Sequence, residues 1–406
     1  MTAANIVFFA VFTAMWVGMH AWVGHRQIHQ GRSYPAWARR MIWGLVVVLG
    51  AVPLLAAFGR RLGLVGSEFG ALEWIGFVLM GLSSLLISFT LIVELPRLFA
   101  AGVGALHRRL RAPADATAPA VGSEQPESVA RRQFFADVVN YGIVGGATGL
   151  SAVGFAAARR VPRVVEVEVP IADLHPDLVG FRVVQLSDVH VGPTIRGTWL
   201  DQVVEVVNTL DADLVALTGD FVDGEVAKLG PELAGLGRIQ ARHGAFFVTG
   251  NHEYYWDGPA WCEAIAELGP TVLTNEHRCV EHGGACLLVA GVADIGAGRH
   301  VPAHASDPAK AKAGAPAHDL SLLLAHQPRS VFAAAEAGFD LQLSGHTHAG
   351  QYFPMSLMIH LFQPYVAGLD RHAGTHIYVS RGTGYWGPPN RAGSPSEITL
   401  LKLARA

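Results

Sequence analysis

The chain has 406 residues, of which 51% are hydrophobic and only 16% are charged, whereas ordinary globular proteins carry about 25% charged residues. This composition excludes a simple soluble protein and argues against disorder. The formal net charge of −3 argues against a nucleic-acid partner, and three cysteines are too few for a disulfide scaffold or a cysteine-rich zinc module.

The first part of the chain predicts membrane-spanning helices. Three stretches without Asp, Glu, Lys or Arg are each long enough to cross about 30 Å of hydrocarbon. A fourth and weaker stretch follows them, in which Gly, Ala and Ser dominate. The four predicted spans are residues 6–24, 41–58, 74–93 and 138–158.

The distribution of arginines predicts the orientation of these spans. Arginines are concentrated in the loops after the first and third spans, as in Arg39–Arg40 and Arg108–Arg109. Because positively charged loops stay on the cytoplasmic side, we expect a multi-pass protein of the bacterial inner membrane with residues 161–406 outside the cytoplasm. Arg159, Arg160 and Arg163, just beyond the fourth span, favour the opposite orientation.

A paired arginine motif precedes the fourth span. Arg131 and Arg132, followed by two phenylalanines and a mild apolar stretch, resemble a twin-arginine export signal, although such signals are usually N-terminal. An ordinary positive flank is the alternative. The predicted organisation is therefore three spans in residues 1–98, a flexible linker in 99–130, the motif with the fourth span in 131–160, and a separate domain in 161–406.

This last segment predicts an α/β domain. Short runs of strand composition alternate with longer amphipathic stretches, of which residues 199–210 and 259–268 suit helices. Several runs are apolar throughout, as strands buried on both faces are. The predicted strands are residues 182–186, 214–218, 245–249, 287–291, 320–325, 341–344 and 377–380.

Polar side chains follow five of these strands directly. α/β sheets build their sites at the carboxyl ends of strands, so we expect these side chains to converge. Because they offer oxygen and nitrogen but no sulfur, they suit Mn, Fe, Zn or Co. Seven ligands are too many for one tetrahedral ion, but they suit two ions about 3.5–4 Å apart that clamp a phosphate and supply an attacking hydroxide. The candidates are Asp188, His190, Asp220, Asn251, His326, His346 and His348.

The order D-x-H, G-D-x-x-D, G-N-H-E, a single His and G-H-T-H resembles the calcineurin-like metallophosphoesterase superfamily, especially its membrane-anchored and often twin-arginine-exported bacterial branch. The resemblance covers about residues 164–403. It implies a sandwich of two mixed β-sheets flanked by helices. It also implies two divalent metals, with Mn favoured, and the ligand sets Asp188, His190, Asp220 and His348 for one metal and Asp220, Asn251, His326 and His346 for the other.

The same resemblance assigns roles beyond the metals. His252 is implied to be an acid near the phosphate, and Asp223 the carboxylate that orients it. Glu253 is expected to cap or pair locally. Arg381 and Arg391 are candidates for contact with a substrate phosphate, with surface arginines as the alternative. Cys279 and Cys286 are close enough in sequence to form a hairpin disulfide, a possibility that the sequence leaves open.

The predicted function is hydrolysis of a phosphomonoester, phosphodiester or pyrophosphate, carried by a phosphorylated small molecule or a lipid. One alternative is a lipid-precursor pyrophosphatase similar to UDP-diacylglucosamine hydrolases of the superfamily. Another is a membrane receptor that binds metal or phosphate without catalysis. The membrane and the twin-arginine translocation machinery are the other expected partners, and no nucleic acid is expected.

Overall fold

A computed structural model describes residues 3–30, 34–59, 70–111 and 126–406. The chain forms two compact units, Met1–Val153 and Gly154–Ala406. The boundary falls inside one long helix, so the last turn of that helix belongs to the second unit.

The first unit is helical. Its helices are α1 (Ala3–His29), α2 (Ala36–Phe58), α3 (Ala71–Arg111) and α4 (Pro126–Ala158). Among the described residues, three helical stretches are long and apolar enough to cross a membrane: Ala36–Phe58, Ala71–Leu110 and Val129–Ala158. They contain the second, third and fourth predicted spans. The first predicted span lies within α1 and stays a prediction.

The flexible linker predicted for residues 99–130 is wrong at both of its ends. Helix α3 continues to Arg111, and α4 already begins at Pro126. Residues 99–111 are rich in Ala, Leu and Arg, which are strong helix formers, so the helix extends past the apolar span. The remaining residues, 112–125, lie outside the described part of the chain.

A buried polar cluster joins α1, α3 and α4. Arg26 Nε donates to Glu94 Oε1 over 2.8 Å, and the same guanidinium donates to Asn140 Oδ1. Asn140 Nδ2 in turn donates to the backbone oxygen of Gln30 over 2.5 Å. All three side chains are buried. The predicted spans, 6–24 and 74–93, end just before Arg26 and Glu94, whereas helices α1 and α3 continue past them and include both charges.

The second unit contains twelve strands and seven further α-helices. The strands are β1 (Arg163–Ile171), β2 (Arg182–Leu186), β3 (Leu214–Leu217), β4 (Ala245–Phe247), β5 (Thr271–Val272), β6 (Glu276–His282), β7 (Ala285–Gly291), β8 (Leu320–Leu324), β9 (Leu341–Ser344), β10 (Gly368–His372), β11 (Thr375–Val379) and β12 (Glu397–Arg405). The helices are α5 (Gly197–Asn208), α6 (Val226–Leu229), α7 (Asn251–Tyr255), α8 (Gly258–Glu267), α9 (Pro308–Lys312), α10 (Val331–Glu336) and α11 (Met355–Met358).

The strands form two six-stranded sheets, in the orders β1-β12-β2-β3-β4-β5 and β10-β11-β9-β8-β7-β6. β2 to β5 are mutually parallel in the first sheet, and so are β7, β8, β9 and β11 in the second. The antiparallel pairs β12–β2, β6–β7 and β10–β11 make both sheets mixed. Each sheet therefore presents a row of parallel strand ends at one edge.

The sheets pack face to face through apolar side chains. Val183 and Leu214 of the first sheet share one buried cluster with Val289 and Leu322 of the second. On the outer side of the second sheet, Ala334 of α10 packs with Leu323. Helix α5 buries one face, which carries Trp199, Leu200, Val203, Val204 and Val207. The predicted sandwich of two mixed sheets flanked by helices is confirmed. In the β6–β7 hairpin, Cys279 and Cys286 are joined by a disulfide, while Cys262 is free.

The buried cluster of the first unit generates a stability prediction. Arg26→Ala should lower the melting temperature of the full chain in detergent, because Asn140 loses its donor and Glu94 loses a buried cation. An unsatisfied buried group costs about 1–3 kcal/mol, and more when it is charged. Arg26→Lys should give an intermediate loss, since lysine lacks the planar fork that reaches both partners. The exposed Arg39→Ala is the control, and an Arg26→Ala chain as stable as this control would contradict the burial of the cluster.

Candidate metal centre

Parallel strand ends of both sheets bring the predicted ligands together. In the first sheet, β2, β3 and β4 each lead into a loop that carries candidate ligands, and in the second sheet β8 and β9 do the same. Asp188 and His190 follow β2, Asp220 follows β3, Asn251 follows β4, His326 follows β8, and His346 and His348 follow β9. The sandwich therefore places all seven at a common edge, as the strand-end argument predicted.

The first cluster of possible ligands is formed by Asp188, His190 and His348. His190 Nε2 and His348 Nε2 are 3.1 Å apart, and Asp188 Oδ1 is 3.4 Å from His348 Nε2. Asp220 Oδ2 lies 3.9 Å from His190 Nε2. These four residues are the set that the resemblance implied for one metal.

The second cluster is formed by Asp220, His326 and His346. Asp220 Oδ2 is 3.0 Å from His326 Nε2, so the same carboxylate oxygen faces both clusters. This is the position that a bridging ligand between two cations must take. His326 Nδ1 donates to the carbonyl oxygen of Thr218 over 2.8 Å, which leaves Nε2 directed at the site, as in most metal-binding imidazoles.

Asn251 provides an independent indication of a cation. Its Oδ1 is buried and, within the described ranges, has no hydrogen-bond partner, whereas its Nδ2 donates to the hydroxyl of Tyr255 over 3.2 Å. A buried carbonyl oxygen is almost always paired in native proteins, and a metal would satisfy this one. Carboxylate, amide oxygen and imidazole are together a suitable donor set for Mn, Fe, Zn or Co, so the residues present fit divalent cations.

Burial and neighbouring charges adjust the protonation of these ligands. Burial, followed by the charge of His326, lowers the pKa of His346 to about 4, so this imidazole is neutral near neutral pH, as metal binding requires. Burial would raise the pKa of Asp220, but His326 and then His252 outweigh burial and hold it well below its usual range. Asp220 is therefore ionised and carries the negative charge that attracts cations.

Most of the candidate ligands have an unusual backbone conformation. A positive φ in a residue other than glycine is uncommon and costs about 1–3 kcal/mol for each residue. Such strain persists where surrounding structure holds it in place, and it concentrates at functional sites. The ligands in this conformation are Asp188 (φ 56°), His190 (54°), Asp220 (56°), His346 (70°) and His348 (48°).

Two glycines allow the ligand loops to approach one another. A Cβ atom on Gly250 would lie 2.1 Å from Oδ1 of Asp220, and one on Gly345 would lie 2.2 Å from Oδ2 of Asp188. Both distances are far below van der Waals contact. Any side chain at these positions would displace a carboxylate of the candidate metal centre.

Asp223 has both an expected and an unexpected partner. Its Oδ1 is 2.5 Å from Nδ1 of His252, as the resemblance implied, and its Oδ2 is 3.2 Å from Nδ1 of His190. Burial would lower the pKa of His252, but the carboxylates of Asp220 and Asp223 raise it to about 9. His252 is thus an imidazolium whose Nε2 lies 3.9 Å from Asp220 Oδ2.

Glu253 connects two ligand loops. Its carboxylate accepts hydrogen bonds from the backbone nitrogens of Gly250 (2.6 Å), Asp220 (3.1 Å) and Phe221 (2.7 Å). The bond to Gly250 is the local cap that the sequence suggested. The other two reach the loop after β3, and no spacing in the sequence could have indicated them.

The two candidate arginines have different surroundings. Arg391 is buried, and its guanidinium donates to the backbone oxygens of Gly384 (2.9 Å), His348 (3.1 Å) and Arg381 (2.8 Å). It also lies 2.9 Å from His348 Nδ1. This placement favours support of a metal ligand over direct contact with substrate. The Arg381 side chain is 42% exposed and lies 3.8 Å from Glu397, and its contact with phosphate stays a prediction.

Two aromatic side chains flank His252. The ring centroids of Tyr255 and Trp386 lie 5.0 Å and 5.4 Å from that of His252, and both aromatic residues are more than half exposed. Trp386 could not be found from the sequence, because it is distant from His252 along the chain and lies in a loop without a motif.

Comparisons with known proteins agree with this geometry. The family model of the calcineurin-like phosphoesterases matches residues 181–350. A Bos taurus protein named "Transmembrane protein with metallophosphoesterase domain" is 42% identical over 270 residues, covering 64% of this chain and 61% of that protein. An uncharacterized metallophosphoesterase of Aquifex aeolicus (strain VF5) is 32% identical over 224 residues, covering 55% of this chain and 84% of that protein.

The chain thus spans less than two thirds of the length of the bovine relative. The three apolar helices and the transmembrane relatives identify a membrane protein. Among solved structures, a 5'-nucleotidase precursor from Thermus thermophilus has a TM-score of 0.36 and 17% identity, covering 51% of this chain and 49% of that chain. A similarity this distant carries no argument about activity.

The position of Asp220 generates a prediction about metal content. Asp220→Asn should reduce binding at both metal positions, because one oxygen faces both clusters, whereas Asp188→Asn should mainly weaken the first. Metal analysis of the purified full chain, with the exposed Asp211→Asn as the control, measures the difference. Two fully occupied metal positions in the Asp220→Asn chain would contradict the bridging assignment.

Proposed function

Because the chain belongs to the calcineurin-like phosphoesterase family, we propose that its second unit hydrolyses a phosphomonoester, phosphodiester or pyrophosphate with the help of two divalent cations. The observation that carries the proposal is the single oxygen of Asp220 that faces two ligand clusters, with the imidazolium of His252 beside it. A metal-storage site has no need for such an acid.

The cations would be held as the resemblance implied. Asp188, His190, Asp220 and His348 would hold one, and Asp220, Asn251, His326 and His346 would hold the other. Two such cations, when bound, supply Lewis acidity at the phosphate and activation of water.

His252 is proposed to protonate the departing oxygen. Asp223 accepts the Nδ1 proton of His252, which fixes the ring orientation and leaves Nε2 as the proton donor toward the site. Because Asp223 also contacts His190, this carboxylate aligns the acid with one of the metal ligands. Arg391 is proposed to act through His348, whose ring and backbone it holds in place.

The activity itself is tested with purified full chain and Mn²⁺. We expect hydrolysis of at least one of p-nitrophenyl phosphate, bis(p-nitrophenyl) phosphate and inorganic pyrophosphate. A preparation that binds two metals yet hydrolyses none of the three would contradict an enzymatic function.

The role of His252 gives a prediction about leaving groups. His252→Ala should keep both metals and lower kcat by about 10²–10⁴-fold for an alkyl phosphate ester, because proton donation matters most when the leaving oxygen is basic. The loss should be smaller for the corresponding nitrophenyl ester. His318→Ala, a histidine ahead of β8, is the control. Equal losses on both esters would show that His252 does not donate the proton.

We also propose that the second unit lies outside the cytoplasm of a bacterial cell. The arginine-rich loops after the first and third predicted spans support this orientation. Arg131 and Arg132, both exposed on α4, would then precede the last span on the cytoplasmic side, where an export signal must lie.

The orientation is measured with protease added to intact cells whose outer membrane has been permeabilised. We expect cleavage after residue 161 in the unmodified chain. If the twin-arginine pathway is used, the double change Arg131→Lys and Arg132→Lys should protect this region. Complete protection of the unmodified chain until lysis would place the second unit in the cytoplasm.

A further inference from the structure

An exposed apolar surface lies directly after the last candidate metal ligand. Residues 352–369 contain no Asp, Glu, Lys or Arg. Within them, five large apolar side chains of residues 355–362, here called the apolar rim, are exposed: Met355, Leu357 (69%), Met358, Leu361 (78%) and Phe362. Single exposed apolar residues are ordinary on a protein surface, but a contiguous group marks an interaction site.

The apolar rim is held close to the metal centre. A Cβ atom on Gly350, two residues beyond His348, would lie 2.5 Å from the backbone of Met355. Gln351 then donates to the backbone oxygen of Trp386 over 3.0 Å and accepts from its nitrogen over 2.9 Å. The turn that carries His348 therefore connects the rim with the exposed indole beside His252.

An open groove of about 620 Å³ runs along the rim, a volume in the range of small-molecule sites. Ile295, Phe332, Leu361 and Phe362 supply apolar lining. The groove is at the same sheet edge as the metal centre. Ile295 of the groove follows Asp294, and the carboxylate of Asp294 accepts a hydrogen bond from the side chain of Gln327 over 2.8 Å. Gln327 is the residue after His326, so the groove is connected to a candidate metal ligand.

The chain itself indicates what covers this surface. Helix α4, one of the three helices able to cross a membrane, ends at Ala158, and its last turn belongs to the second unit. The carbonyl oxygen of Gly154 in that turn accepts a hydrogen bond from the backbone nitrogen of Arg391 over 3.0 Å. Arg391 also contacts His348. It therefore contacts both the last turn of α4 and a candidate metal ligand.

We propose that the apolar rim rests in the surface of the lipid bilayer and that the metal centre hydrolyses the phosphate ester of a membrane lipid, with an acyl chain entering the groove. This inference rests on the proposed function and narrows its substrate class. Water is the only co-reactant. A bond forms from the water oxygen to phosphorus, the bond from phosphorus to the departing oxygen breaks, and His252 gives that oxygen its proton. One proton of the attacking water then replaces the proton that His252 gave.

Contact with lipid is tested first, without reference to activity. Leu357→Cys, in a Cys262→Ser background, is labelled with bimane in full chain reconstituted into phosphatidylcholine vesicles that contain doxyl-labelled phosphatidylcholine. We expect quenching at position 357. The matched control is Val179→Cys, an exposed apolar site just ahead of β2 at the opposite sheet edge, where we expect little quenching. Equal signals at the two positions, or a rim shielded by a second copy of the chain, would overturn the proposal.

The substrate class is tested by paired rates in the same vesicles. Phosphatidic acid is compared with glycerol 3-phosphate, and phosphatidylglycerol with its deacylated headgroup. We expect at least one lipid to be hydrolysed about tenfold faster than its soluble counterpart, and the double change Leu357→Ser and Met358→Ser to lower that ratio about tenfold. Val179→Ser should leave the ratio unchanged.

The outcomes separate the two proposals. If bis(p-nitrophenyl) phosphate is hydrolysed but no lipid exceeds its soluble counterpart, the lipid inference is overturned and the phosphoesterase function stands. If metal-loaded protein hydrolyses neither any lipid pair nor any of p-nitrophenyl phosphate, bis(p-nitrophenyl) phosphate and inorganic pyrophosphate, both proposals fail.

Discussion

The carboxylate of Asp220 is the constraint on which the second unit depends. It is buried, and an ionised group removed from water is costly unless opposite charge and hydrogen bonds compensate. The surrounding loops supply that compensation: His326 lies 3.0 Å away, the backbone nitrogen of His252 donates to Oδ1 over 2.8 Å, and Gly250 leaves room where a side chain would collide. Bound cations would complete it. The strained backbone of the ligand loops is tolerated because the two packed sheets hold the strand ends on either side.

Much of this arrangement was predictable because its signals are local. A buried parallel strand is a short apolar run, and its ligands follow within a few residues, so the seven strands that end near the site were found within one or two residues. The strands that were missed are mostly at sheet edges: β1, β5, β6 and β10. Edge strands such as β1, with Glu166 and Glu168 in alternation with valines, carry charge toward solvent. Their composition therefore does not resemble that of a buried strand.

Long-range supports could not be predicted in the same way. The hydrogen bonds of Glu253 to the loop after β3, the second contact of Asp223 and the position of Trp386 all depend on how loops far apart in sequence meet. The same holds in the first unit, where Arg26 is 68 residues from Glu94 and 114 from Asn140. The hydropathy of a span reports the absence of charged side chains. It gives no information about oppositely charged side chains that pair just beyond the end of the apolar stretch.

Arg391 shows why a cation can be buried beside a site that must itself bind cations. Burial lowers its pKa to about 10, which still leaves the guanidinium charged near neutral pH. A guanidinium offers five donors and no acceptor, and those of Arg391 are directed mainly at backbone oxygens, which leaves the carboxylates of the site free for metals. The charge therefore fixes the loop of residues 381–384 against His348, while the backbone nitrogen of the same residue holds the last turn of α4. Arg391 therefore makes the position of the candidate metal ligand His348 depend on the end of an apolar helix. For this physical reason that helix end and the metal centre form one structural element.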